Sequence, residues 1–531
     1  MAPEMIRGHL TSSRAPRNEE SPVLGRSIVQ GPVTPDPQRR FTMKGEAMPV
    51  QRELTIIQMN DSHGYLECHP ELFWSGDRAE YREAGGFDRI AAAIDAIRTE
   101  RPGKVLTLDC GDTIHGTYAT VKTRGQALVP ILNRIGFDAM TGHWEFAYGP
   151  KRLREITGQL DYPMLAINCY EAETGELAFQ PYRIREIAGL RVGIVGIAAT
   201  IVDKVMPPHF SEGLRFTTGN RELPEHITRL RDEERVDLVV VLSHLGFPQE
   251  VKLAREVDGI DVLLSGHTHN RLYQPAVVND TIIIQSGCHG SFLGRLDLTL
   301  EAGEIVDYRH ELITLGHGIR PHPAVEELVE REAASHREEL RQVLGTTNTG
   351  LHRNAALEST MDNFLLQGVL RAAGGQLAFS NGWRYGAPVP PGPITLEDLY
   401  NIIPVDPPIS TCKLTGDALW TMMEENLERT FARDPYDQMG GFVKRCMGID
   451  LYFKMENPPG HRIQELFAAG KPVRPDTVYD VAFVTEQGVP AKYGFDRKET
   501  GISAIGALRD YLAAAGSTPV EAALRGSIVA V

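Results

Sequence analysis

The chain has 531 residues, 42% of them hydrophobic and 24% charged, which is a globular composition too long for one core; two domains and a tail are expected. Fifty-five Lys and Arg against 70 Asp and Glu give a formal charge of −15, which excludes a nucleic-acid polymer as partner but leaves room for a local cationic pocket. No run approaches the ~20 apolar residues of a membrane span, so no membrane partner is expected.

Residues 1–50 are rich in Pro, Arg, Ser and Gly, lack hydrophobic periodicity and read as a disordered leader. Within them QRRFTMKG (38–45) looks like a twin-arginine export signal, but EAMPVQREL follows where an apolar stretch is required. The match is treated as accidental and a cytoplasmic location is expected; the chain would be periplasmic only if this leader is wrongly delimited. Six scattered cysteines (68, 110, 169, 288, 412 and 446) with no C-x-x-C pair suit the same reducing compartment. From residue 53 onward LTIIQMN (54–60), KVLTLDC (104–110), RVGIVGIAA (191–199), DLVVVLSHL (237–245) and DVLLSGH (261–267) predict buried strands. Helical patterns over 87–101 and 125–136 separate them, so an α/β domain is expected, with ligands gathered at strand C-termini. TIIIQSG (281–287) and LGRLDLTL (293–300) predict a closing β pair. Residues 322–343 are strongly charged, with apolar residues near helical spacing, and predict a connecting helix; a second α/β segment then runs to Val531.

Chemistry-bearing residues fall at the ends of these strands. Asp61 and His63 stand in NDSHG after the first, and Asp112 in DCGDTIHG after the next. His143 follows in GHWE, His244 in LSHLG, and His267 with His269 in SGHTHN. Mixed carboxylate and imidazole donors suit borderline divalent cations, with Mn expected and Zn, Fe or Co as alternatives. A shared Asp can bridge two such ions, the pair that activates a water. Taken singly, a D-x-H, a GDT turn or His244 reads as a cap or a satisfied polar residue. All the groups in this order predict a dimetal site.

The same order resembles the calcineurin-type metallophosphoesterases, and residues 53–531 as a whole resemble the bacterial 5′-nucleotidase family. In the second half the stretches that carry this are ESTMDNFLLQGVL (358–370), FSNGWRYG (379–386) and ITLEDLYNIIPVDPPISTCKLTGDAL (394–419). The resemblance implies a four-layer αββα metal domain over 51–318, a linker helix over 319–345, and a smaller C-terminal α/β domain over 346–531 that binds the non-reacting part of the substrate. It implies one metal held by Asp61, His63, Asp112 and His269, and a second held by Asp112, His143, His244 and His267. It also places Arg384 near the charged group of the substrate, where a guanidinium clamps phosphate or sulfate oxygens and joins Asp112 and His143 in catalysis. Asn381 and Gly382 would let backbone approach the substrate closely. Trp383, Tyr385 and Tyr493 are candidates to stack on a base, with core packing as the alternative for each.

One segment departs from the nucleotidase pattern. Where those relatives carry a sequence similar to G-N-H-E-F-D, this chain has GHWEFA (142–147). In the family the Asn is a metal ligand and the His–Asp pair assists the leaving group. His143 can still ligate, but Trp144 cannot move a proton and Ala147 cannot orient one. General acid help is worth about 10²–10⁴ in rate, so expelling a ribose 5′-alkoxide without it would be hard. His115 and His289 are possible replacements for the missing pair. GHWEF-x-YG, together with QMGGFVKRCMGIDLYF (438–453), resembles the sulfate thiol hydrolases of sulfur oxidation, dimanganese relatives of the nucleotidases that act on a carrier cysteine. The first expectation is a two-metal hydrolase of a small phosphorylated, nucleotide-like substrate, attacked by metal-bound hydroxide. Sulfur–sulfur hydrolysis on a carrier-protein thiosulfonate is the alternative, and a metal-binding scaffold without turnover is the third.

Overall fold

Alternation of apolar residues along the strands decides how the first half of the chain stacks. A computed structural model describes residues 51–531; the leader expected over 1–50 lies outside the described residues. One sheet has the order Glu304–Thr314, Phe292–Glu301, Gln51–Met59, Val105–Asp109, Ala139–Met140. A second runs Ala276–Val278, Thr281–Ile284, Val262–Leu264, Leu238–Ser243, Leu190–Ile197, Tyr182–Ile187, its four inner strands parallel. Leu54, Ile56, Leu106 and Leu108 of the first sheet meet Val192, Ile194, Val240 and Leu242 of the second. The intervening Ile57 and Met59 pack outward on helices Phe87–Glu100, Val129–Ile135 and Pro150–Thr157. Val195, Val239 and Val241 do the same against helices Leu223–Thr228 and Phe247–Glu256. The result is helix, sheet, sheet, helix, the arrangement in which parallel strands are covered on both faces.

Two expectations are corrected. Thr281–Ile284 and Phe292–Glu301 do not pair with each other: the former lies parallel to Val262–Leu264 in the second sheet, the latter antiparallel to Gln51–Met59 in the first. The first of these strands is buried at all four positions, as an inner parallel strand must be, whereas the second alternates buried and half-buried residues beyond its first three. Gly287 and Gly290, at φ 70° and 64°, turn the chain across from one sheet to the other. The charged linker is not one helix either. Helix Pro323–Ala334 stops, a single turn Arg337–Leu340 follows, and Val343–Thr347 is a strand paired with Gly392–Thr395. The β-branched Val343, Thr346 and Thr347 favour the strand.

In the second half a five-stranded sheet has the order Arg445–Met447, Leu377–Ser380, Val478–Val484, Pro408–Thr415, Phe495–Ser503. Helices Thr360–Ala373 and Ala504–Ala515 cover Ala378, Ala482 and Val484; helix Gly416–Phe431 covers Leu377, Phe379 and Val481. Ser359, Thr415 and Ser503 cap these helices by accepting a backbone N–H in the first turn. The halves are tied by Tyr65, whose hydroxyl donates to Asn401 Oδ1 and accepts from Ala387 N, and by Lys252, which pairs with Asp434 at 2.6 Å. Among the described residues no helix is long and apolar enough to cross a membrane.

The connecting segment at Leu165 packs so closely on strand Leu190–Ile197 that no room is left at Gly196, where a Cβ would lie 2.2 Å from the carbonyl oxygen of Leu165. Gly196→Ala is expected to cost about 2 kcal/mol or more, read as a lower urea midpoint at unchanged slope; an unmoved midpoint would show that this strand can yield.

Candidate metal centre and substrate cavity

The loops that leave Gln51–Met59 and Val105–Asp109 are zipped together before any side chain is considered. Asp61 N donates to Gly111 O at 2.9 Å and His63 N to Asp112 O at 2.7 Å. Five candidate ligands take left-handed backbone conformations: Asp61 (φ 50°), His63 (48°), Asp112 (57°), His267 (70°) and His269 (59°). Each such non-glycine position costs of order 1 kcal/mol or more, and strain of this kind concentrates at functional sites. Nearby glycines are sterically required: a Cβ on Gly116 would sit 2.6 Å from His63 O, and one on Gly266 2.7 Å from His244 Nδ1.

Seven side chains converge in two groups that share Asp112. Asp61, His63, Asp112 and His269 form one, and Asp112, His143, His244 and His267 the other; within each, one donor atom per residue lies within 4.8 Å of all the rest. Asp112 Oδ2 is 3.2 Å from His244 Nε2, His143 Nδ1 stands 3.3 Å from the Asp112 carboxylate, and Asp61 Oδ1 is 3.2 Å from His269 Nε2. The rings are oriented from behind: His63 Nδ1 donates to His115 O at 3.1 Å and His244 Nδ1 to Cys110 O at 2.6 Å, so each ring turns its Nε2 toward the carboxylates. The Nε2 atoms of His143 and His244 are buried without a hydrogen-bond partner. Buried imidazole nitrogens around a shared carboxylate are the donor set that a pair of borderline divalent cations fits.

Glu145, unremarked in the sequence beyond its place in GHWEF, organises this centre. Its carboxylate accepts the backbone N–H groups of Asp112 (3.1 Å), Thr113 (2.6 Å) and His143 (2.7 Å), while Trp144 N donates to Asp112 Oδ1 at 2.7 Å. Electrostatics follow from burial. Burial pushes His63 down to about 3 and His267 well below the ordinary histidine range, so both are neutral donors. For Asp112 burial pulls upward, but His143 and His244 outweigh it and hold the carboxyl well below its ordinary value. For His244 burial pulls downward, but Asp112 and Asp61 outweigh it and hold the ring at about 10.

A cavity of about 480 Å³ opens from the metal groups into the second half. Asn381, Gly382, Trp383, Arg384 and Tyr493 all line it, beside His63, Asp112, His143, His267 and His269. Arg384 Nη1 donates to His267 O at 2.7 Å and Nη2 donates to Gly440 O, so two of its five N–H groups serve the protein at the cavity wall. Gly382 is at φ 73°, and a Cβ there would lie 2.6 Å from Arg445 Cγ. Trp383 and Tyr385 are buried in the core of the second half, with Tyr385 also 4.5 Å from the His63 ring; Tyr493 is only partly buried. Lys204, Arg429, Lys444 and Lys492, which no motif in the sequence marks as site residues, join Arg384 to set five cations against Glu425 and Glu486 around the cavity. The spacing of Met422, Glu425 and Arg429, one face of helix Gly416–Phe431, was the available signal.

Trp144 forms part of the cavity wall and stacks on His115 at 4.9 Å and 20°, with Tyr385 edge-on at 5.5 Å. Neither His115 nor His289 reaches the cavity: both are buried, His115 beneath the indole and His289 against Glu71 at 3.0 Å. Every imidazole lining the cavity is one of the seven candidate ligands.

A cation entering this centre must replace the proton held by His244. Binding at about pH 7.5 is therefore expected to release about one proton per chain, and apparent affinity to weaken about tenfold per unit fall in pH. Calorimetry in buffers of unequal ionisation enthalpy reads the count; a value of zero would mean that His244 is already neutral.

Comparison with known proteins agrees with this geometry. Residues 54–271 match the calcineurin-like phosphoesterase family and residues 341–485 the 5′-nucleotidase C-terminal domain. The chain is 26% identical over 464 residues to the trifunctional nucleotide phosphoesterase protein YfkN of Bacillus subtilis, covering 78% of this chain but only 30% of that protein. It is 26% identical to the snake venom 5′-nucleotidase of Naja atra, over 78% of this chain and 84% of the relative. Among solved structures, the Thermus thermophilus sulfate thiohydrolase SoxB superposes with a TM-score of 0.83 at 26% identity, over 92% of this chain and 98% of that one. A 5′-nucleotidase precursor, also from Thermus thermophilus, gives 0.79 at 25% identity, over 90% and 99%. The paired domains and the shared-aspartate ligand groups they carry place this chain in the 5′-nucleotidase family of calcineurin-like metallophosphoesterases, a family of metal-dependent hydrolases.

Proposed function

We propose that this protein is a two-metal hydrolase whose leaving group departs without taking a proton from a histidine, and that its substrate is an anionic group bonded to sulfur, a thiosulfonate. One observation carries the reading: Trp144 forms the cavity wall next to His143, and among the described residues no imidazole outside the candidate ligand groups lines that cavity. Glu425, paired with Lys492 at 2.6 Å, is held below its ordinary value despite burial and stays ionised, so it is no acid either. A thiolate or persulfide leaves readily as an anion, whereas a ribose 5′-alkoxide does not. The likeness to a sulfate thiohydrolase supports the same choice.

Asp61, His63, Asp112 and His269 would hold one cation and Asp112, His143, His244 and His267 the other, with Mn the metal we expect. The cations, when bound, supply an activated water and neutralise charge on the oxygens of the transferred group. Arg384 directs its remaining N–H groups at those oxygens while the carbonyl of His267 fixes its place. Lys444, held by the carbonyls of Gln487 (2.7 Å) and Gly488 (3.1 Å), adds positive charge to the wall. A carrier protein is then the natural bearer of the sulfur. The six free thiols keep a reducing compartment as the expected location.

A second reading keeps the centre and takes a small phosphorylated, nucleotide-like substrate with a weakly basic leaving group. The apolar residues Trp383, Phe442 and Tyr493 along the cavity, and the nucleotidase relatives, favour it. A scaffold without turnover gains nothing from seven ligands brought together at such backbone cost.

With Mn-loaded protein, a peptide S-sulfocysteine and an aryl phosphate should turn over at least about 10² faster in kcat/KM than a nucleoside 5′-monophosphate. Rapid monophosphate hydrolysis would overturn the leaving-group argument. The double change Trp144→His with Ala147→Asp should raise monophosphate turnover selectively. Asp112→Asn should lower turnover of every substrate by about 10³ or more and reduce metal content; full activity in that variant would remove the two-metal mechanism, and inactivity of the fully loaded wild type on all substrates would leave the scaffold.

A further inference from the structure

A third convergence of ligating side chains lies behind the dinuclear groups. His69 and Glu71, at i and i+2 on strand His69–Ser75, face one side of their hairpin. His289 meets them from the turn after Thr281–Ile284, at a left-handed φ of 59°. One donor atom of each residue lies within 4.8 Å of the other two. We propose that His69, Glu71 and His289 bind a third divalent cation, of the structural zinc class, independent of the hydrolytic pair.

The surroundings resemble those of the main centre. Glu71 Oε2 stands 3.0 Å from His289 Nδ1, within the spacing of neighbouring ligands on one ion and close to the 3.2 Å between Asp61 and His269. Glu71 Oε1 is occupied separately, by Arg271 Nη2 at 2.8 Å and Leu72 N at 2.9 Å, which orients the carboxylate and leaves Oε2 for the ion. His69 Nδ1 donates to Glu67 O at 3.1 Å, so its Nε2 carries the lone pair, the ring oriented from behind as for His63 and His244. That Nε2 faces only Ser291 Oγ, at 3.2 Å. His289 Nε2 has no partner although the residue is 2% exposed, and Cys288 Sγ, 3.4 Å from Nδ1, offers a thiol beside the three donors. Two imidazoles, a carboxylate and a nearby sulfur are zinc-type donors. His69 also lines a separate cavity of about 210 Å³ between the linker turn and the second half. An ion here would staple the hairpin to the turn whose His289 N–H donates to Asp61 O at 2.7 Å, and so brace the first metal loop.

Chelator-stripped full-length protein is titrated with Zn(II) against a chromophoric chelator, beside His69→Asn and His289→Gln. Each variant is expected to bind one equivalent fewer than the wild type, whatever the count at the dinuclear centre. Zn-loaded wild-type crystals should show an anomalous peak between Glu71 Oε2 and the two rings, a reading that needs no variant to fold. Equal stoichiometry in all three proteins, or no peak at that point, would reduce the cluster to a hydrogen-bonded Glu71–His289 pair. Failure of the proposed hydrolysis would leave both readouts intact.

Discussion

Everything at the centre depends on burying two carboxylates side by side, each held by the imidazoles around it. Asp61 and Asp112 are 0% and 2% exposed, and an uncompensated buried carboxylate costs several kcal/mol. Burial keeps His63 and His267 neutral, so the compensating charge falls to the other imidazoles, to Arg384 and, when bound, to metal ions. That requirement explains the local architecture: left-handed turns at strand ends, rings oriented by carbonyls, and Glu145 gathering three backbone N–H groups to hold the Asp112 and His143 loops together. The stability of two packed sheets is what pays for that strain.

The second half completes the site by contact with the first. Arg384 donates to the backbone carbonyl of a metal-group residue, His267, which places the guanidinium beside the ligands while drawing nothing from them. Tyr385 touches both the His63 ring and the indole of Trp144. The ring that displaces the proton-handling pair is thus clamped from His115 below and Tyr385 beside it, so the departure from the nucleotidase pattern is part of a packed unit. Cations along the rest of the cavity give an acidic protein one basic recess, which is where an anion would go.

Much of this was legible from residues 53 to 300, because all the candidate ligands but His143 follow an apolar run that reads as a buried strand, and parallel strands deliver their C-terminal ends to one edge. Arg384 and Asn381 were legible as members of a family-like stretch. Glu145 was not, since a glutamate that serves backbone N–H groups looks like any glutamate. The cavity-facing residues of helix Gly416–Phe431 were hidden for another reason: their spacing marks a face but does not say what the face looks into.

The sequence by itself determined an α/β first half with Asp and His residues at its strand ends, because periodicity and residue chemistry are written along short stretches; the αββα order, the seven candidate ligands and the departure at Trp144 and Ala147 were legible only through the family resemblance. Only the tertiary structure decided that Thr281–Ile284 and Phe292–Glu301 part company, that the linker breaks before His336, and that His115 and His289 stay out of the cavity. It alone brought His69 and Glu71 to His289, some two hundred residues away. Strand pairing and side-chain convergence are non-local: they are settled by which faces bury together, and no window of sequence contains both partners.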